Sequence, residues 1–239
     1  MSTVSPVSPR ESNVVLMEKR HAWTKAGPVV SHLEDEEISM LEERAAATIG
    51  DPQPLGLFAF ATATWMLGTV IGGAEPNATF IATVPVLFMF GGIVQFIAGL
   101  YAWRRANVLA ATFFCAFAAF NATTAMFFLM QRFGWIGTTG SPVLMQGYLL
   151  ESFGFIAFAL AVASMRANLG WLVTLSLLCV GYFLAGIPNL AGGGGGWAVV
   201  GEIGGWFLVA SAAAAAYTGL AYVVNSVWNR TVVPIGGEP

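Results

Sequence analysis

From residue 51 onward the chain alternates long apolar stretches with short polar connectors. The stretches cover 54–72, 78–103, 107–130, 146–165, 169–190 and 199–225. Each is long enough for a helix that crosses the hydrocarbon core of a bilayer, which takes about 20 residues. The connectors between them are 73–77, 104–106, 131–145, 166–168 and 191–198. The pattern predicts an all-α integral membrane protein with six transmembrane helices in residues 51–230 and a short C-terminal tail in 231–239. Residues 1–50 read differently. Ser5–Pro6 and Ser8–Pro9 sit in a polar segment without the apolar run of a signal peptide, so a retained, unstructured N-terminal tail is expected. Its last part, 31–49, reads as a short acidic surface helix. Ser31 would cap it, acids fill its early turns, Arg44 comes late and Gly50 would stop it.

Charge sharpens this picture. Only 10% of the 239 residues are charged and 56% are hydrophobic. Residues 1–50 hold five of the ten Lys/Arg and eight of the thirteen Asp/Glu. The remaining 189 residues cannot present an ordinary soluble surface, which is near 25% charged. Six crossings put both termini and the second and fourth connectors on one side. That side carries nine cations: the five of the tail with Arg104, Arg105, Arg166 and Arg230. The other carries Arg132 alone. The positive-inside bias therefore places both termini in the cytoplasm.

The same inventory excludes several chemistries. The formal net charge of −3, without a basic patch, argues against a nucleic-acid partner. His21 and His32 both lie in the tail, so a haem, a His-based zinc site or a Ser–His pair is not expected among the spans. No lysine follows Lys25 and no aspartate follows Asp51. Cys115 and Cys179 stand alone in apolar runs and read as small hydrophobes. Neither an enzymatic activity, a metal nor a cofactor is expected.

Polar side chains inside a bilayer must find partners or line water. Thr62, Thr64, Gln95, Asn121, Thr123, Thr124 and Asn189 are the uncharged candidates, with Glu151 and Glu202 near the outer interface. A threonine can bond its own helix, and Gln95 or Asn189 can join helices instead of lining a path. Gly68/Gly72 and Gly201/Gly205 have GxxxG spacing, Gly91, Gly92 and Gly99 lie on the second span, and Ala212–Ala216 are small, so close helix packing is expected. The most unusual stretch is Asp51-Pro-Gln-Pro-Leu-Gly-Leu57. Asp51 fits an N-cap and Pro52 a first helical position. The plain reading is a well-capped helix start; the functional one is a helix N-terminus that attracts anions.

That stretch resembles the Asn-Pro-Ala-Pro-Leu-Gly-Leu signature of the acetate uptake transporter family. Three further segments agree in order. Phe90-Gly-Gly-Ile-Val-Gln95-Phe-Ile-Ala-Gly99 is similar to the family's Gly-Gly-x-x-Gln-x-x-x-Gly, Arg104-Arg-Ala-Asn107 to its basic connector, and Asn229-Arg-Thr-Val-Val-Pro-Ile-Gly236 to its C-terminal motif. The resemblance covers about residues 51–237. It implies a homohexamer of six-helix protomers in the plasma membrane (the inner membrane of a bacterium). Each protomer would pass acetate and related small carboxylates, succinate among them, with lipid and substrate as the other partners. It implies a hydrophobic constriction at Phe60, Phe117 and Leu178. The substrate pathway would include Asp51, Pro52, Pro54, Leu55, Gly56, Thr64, Gln95, Asn121 and Asn189. Phe117 stands where the family has Tyr, Asp51 where it has Asn, Ala102 where many relatives have Glu and Asn121 where some have Trp. Two other readings stay open: a diverged scaffold or signalling protein that docks through the acidic segment 34–43, and a channel for a neutral solute such as ammonia or water.

Overall fold

The computed structural model describes residues 40, 49–74, 80–192 and 196–237. Most of the expected 31–49 helix therefore lies outside the described residues, as do both histidines and the Ser-Pro pairs. The chain divides into two units, residues 1–51 and 52–239.

The second unit is a bundle of six helices, each long and apolar enough to cross a membrane: α1 Gln53–Ile71, α2 Phe80–Arg104, α3 Val108–Arg132, α4 Ser141–Ser164, α5 Leu169–Leu190 and α6 Trp197–Trp228. The protein is thus a multi-pass membrane protein, and no strand occurs among the described residues. Successive helices pack antiparallel and α6 returns to α1, so the six form a ring that is thinnest between α3 and α4.

Most helix ends fall within one to three residues of the sequence reading; the starts of α4 and α1 depart from it for identifiable reasons. α4 begins at Ser141, within the expected connector, because Gly140 turns the chain at φ 70° and Pro142 suits a first helical turn. Its polar opening residues had masked the apolar pattern. α1 begins at Gln53, and the cap position is taken by Pro52 instead of Asp51. Pro52 is already helical at φ −79° and ψ −12°, and its carbonyl accepts from Gly56 N–H at 3.1 Å. With Pro52 and Pro54 both lacking an N–H, fewer donors at this end need a cap.

α2 is uneven. Pro85 lies inside it, and Leu87–Val94 widens into π-type turns, where Gln95 N–H donates to Phe90 O five residues back. The expected glycine faces are used at the crossings. Gly68 and Gly72 of α1 meet Gly205 of α6 backbone to backbone, leaving no room for a Cβ. Gly204 abuts Ala185 and Gly181 of α5, and Gly201 faces Pro188. Across α5 and α6, Ser211 Oγ donates to Thr174 O at 2.8 Å. After α6, Asn229 at φ 49° reverses the chain, and residues 232–236 fold back on the bundle. Asn225 Oδ1 accepts from Val232 and Val233 N–H, while Gly236 O accepts from Leu169 N–H at 2.8 Å.

Candidate functional site

Side chains of α1, α3 and α5, which run in the same direction, meet in the interior of the bundle. Phe60, Phe117 and Leu178 are each fully buried. The Phe60 and Phe117 rings lie 6.2 Å apart, edge to face. Tyr182, one turn beyond Leu178, stacks on Phe117 at 5.8 Å with planes only 12° apart. Phe113 closes on Phe60 at 4.8 Å, and Phe153 of α4 on Phe117 at 5.4 Å. The three residues expected at the constriction thus belong to one buried aromatic and aliphatic cluster, referred to below as the plug. Tyr182, Phe113, Phe120 and Phe153 belong to it as well, though the sequence reading passed over them. Their signal was available: 113, 117 and 120, and 178 and 182, recur at helical spacing on one face.

Moving along the three helices by equal steps gives successive layers. Four residues after Phe60, Phe117 and Leu178 in sequence are Thr64, Asn121 and Tyr182, all buried. Seven beyond are Leu67, Thr124 and Ala185; eleven beyond are Ile71, Phe128 and Asn189. These last two layers line one cavity of about 560 Å³ at the C-terminal ends of α1, α3 and α5. Phe120 forms part of its floor, Gln131, Thr138 and Gln146 add amides and a hydroxyl, and no charged residue lines it among the described residues. Glu151 packs against Gly186 and Glu202 approaches Gly73, both outside the cavity lining.

Gln95 and Asn121 meet between α2 and α3. Asn121 Nδ2 donates to Gln95 Oε1 at 3.3 Å. Gln95 Nε2 and Asn121 Oδ1 are buried and have no partner among the described residues. A buried amide left unpaired costs about 1–3 kcal/mol. Here a donor and an acceptor lie together, a pairing suited to a carboxylic acid or a water molecule. Gly91 permits this contact, since a Cβ there would stand 2.7 Å from Asn121 Cγ.

The remaining expected residues are spread out. Pro52 is buried and Pro54 half-buried. Leu55 is 50% exposed, so it faces outward from the bundle. Gly56 is buried beneath the Phe114 ring, which occupies the space a Cβ would need. Asp51 is exposed and belongs to the first unit. Within the bundle Phe60 packs against Phe117, Asn121 bonds Gln95, Thr64 and Leu178 are buried, and Asn189 lies on the cavity wall. Thr62, another candidate, instead donates to Phe58 O at 2.8 Å on its own helix.

Toward the N-terminal end of α5 the interior is filled by rings. Trp171, seven residues before Leu178, is buried against Phe113 and Phe114, with ring centroids at 5.2 Å and 5.8 Å.

Comparison with known proteins places these features among relatives. Residues 36–235 match the family described as GPR1/FUN34/yaaH. The succinate-acetate/proton symporter SatP of Escherichia coli strain K12 is 27% identical over 79% of this chain and 96% of its own. Acetate permease A of Emericella nidulans is 24% identical over 81% of this chain and 68% of its own. The solved structure of the bacterial acetate channel SatP superposes with a TM-score of 0.72 at 26% identity, covering 79% of this chain and 99% of that one.

Proposed function

The chain belongs to the GPR1/FUN34/yaaH family, and from that premise we propose that it passes acetate and related small carboxylates, succinate among them, through a pore inside each protomer. The relatives named by activity include a symporter, a channel, a permease and an ammonia transport protein, not enzymes. The observation that carries the reading is the plug at Phe60, Phe117 and Leu178 beneath an uncharged cavity lined by amides and hydroxyls. An apolar constriction rejects hydrated ions, because a charge loses its solvation there. A small carboxylic acid has a polar head that Thr64, Asn121 and Gln95 can hold and a methyl that suits the rings. With no fixed cation to trap the head, binding is weak and release quick.

The proposal includes a homohexamer in the plasma membrane with both termini cytoplasmic. The ends of α2, α4 and α6 carry Arg104, Arg105, Arg166 and Arg230, which supports that orientation. The outward face of α2 exposes Phe88, Phe96, Tyr101 and Trp103, a surface suited to lipid or a neighbouring protomer.

The test is uptake of labelled acetate by proteoliposomes. Saturable uptake, competed by other small acids, is expected. Folded protein that gives none at acid or neutral pH would overturn the proposal. The uncharged lining also suits a neutral solute, and ammonia flux indifferent to acetate would favour that second reading.

A further inference from the structure

We infer that Trp171 is a second gate, held shut by a hydrogen-bonded latch to Gln53 and Tyr222; the inference rests on the transport reading above. Trp171 is 1% exposed. It lies seven residues from the plug on the inward face of α5, about 10 Å along the axis. In the same register α1 contributes Gln53. The indole Nε1–H is shared between Gln53 Oε1 at 3.1 Å and Tyr222 Oη at 3.2 Å. Asn168 completes the arrangement from the start of α5: its Nδ2 donates to Tyr222 Oη at 2.8 Å, and its Oδ1 accepts from Trp171 N–H at 3.1 Å. The first turns of α1 and α5 and the last turns of α6 are tied together at this one indole.

The two ends of the pathway therefore differ. Beyond the plug lies the 560 Å³ cavity. Before it, the indole and the Phe113 and Phe114 rings fill the space. Between the two barriers sits Thr174, three residues after Trp171 and four before Leu178. Its Oγ1 is buried and has no partner among the described residues. It offers a hydroxyl to a carboxyl group that has cleared the plug but not the indole. A solute that crosses the plug must then displace Trp171, and the latch sets how often that happens. Neutral hydrogen bonds of this kind are strong enough to hold a side chain and weak enough to open often.

The experiment uses the full chain with Cys115→Ala, Cys179→Ala and Thr174→Cys, labelled by a membrane-impermeant thiol reagent. With the latch intact, labelling is slow. Adding Gln53→Leu and Tyr222→Phe together removes both acceptors and is expected to speed labelling about fivefold or more, the population shift that loss of one such hydrogen bond gives. An unchanged labelling rate in the folded variant, judged by size-exclusion profile, would overturn the latch. If that variant does not fold, Trp171→Phe, which keeps a ring and loses the N–H, is read by the same criterion. Acetate flux of the wild type in liposomes separates the two ideas. No flux with latch-dependent labelling defeats the transport reading and leaves the gate; flux with latch-independent labelling does the reverse.

Discussion

Phe60 touches Phe113 and Phe117 at once, so its ring fills the core and, in the proposed pore, narrows the path. Phe60→Ala is expected to raise the flux of larger acids relative to acetate, read from uptake of a size series. Burial makes it costly too, about 3–5 kcal/mol for a phenylalanine truncated in a packed core. Unchanged selectivity in folded protein would mark Phe60 as ordinary core. Gly91 tests the amide pair beside it. Gly91→Ala would press a methyl onto Asn121 and Ala63, at about 1–3 kcal/mol, and displace the hydrogen bond between Asn121 and Gln95. A loss of acetate uptake larger than the fall in thermal stability is expected. These residues were legible to different degrees. Phe60, Phe117 and Leu178 came from motif resemblance, and Gln95 from being an amide in an apolar run. Trp171 was not legible, because a Trp at a helix end reads as an interface anchor. Its meaning depends on Gln53, 118 positions away in sequence, and no local pattern encodes that pairing.

At the level of elements, small residues decide which helices touch. Gly205 lies on the Gly72 backbone, so Gly205→Ala must part α1 from α6. A loss of about 1–3 kcal/mol is expected, read as a lower unfolding midpoint in detergent. Gly196→Ala is the matched control: its φ of −65° is ordinary and none of the described residues lies near its Cβ, so a change within about 0.5 kcal/mol is expected. The GxxxG spacings announced close packing, but not that Gly205 would serve α1 while Gly201 and Gly204 served α5. That division depends on the ring closing, a three-dimensional fact. Six spans were plain from apolar length alone. The start of α4 was not, since Ser141 and Gln146 are polar for a reason the sequence hides: Gln146 lines the cavity.

For the whole molecule, the division after Asp51 sets the tail apart from the bundle. Removing residues 1–45 is expected to leave acetate flux per molecule unchanged in liposomes; loss of flux would tie the tail to transport, and loss of a bound partner without loss of flux would favour the scaffold reading. A mass measurement of purified protein in detergent checks the proposed hexamer. The uncharged interior has a further, electrical consequence. A unit charge moved through a potential of 100 mV gains or loses about 2.3 kcal/mol, and voltage-driven channels open by placing charges in that field. Among the described residues, the plug, the cavity walls and the proposed Trp171 latch consist of rings, aliphatic chains, amides and hydroxyls. A membrane voltage therefore has no handle on the gates themselves, and can act only on whatever charge the passing solute brings with it.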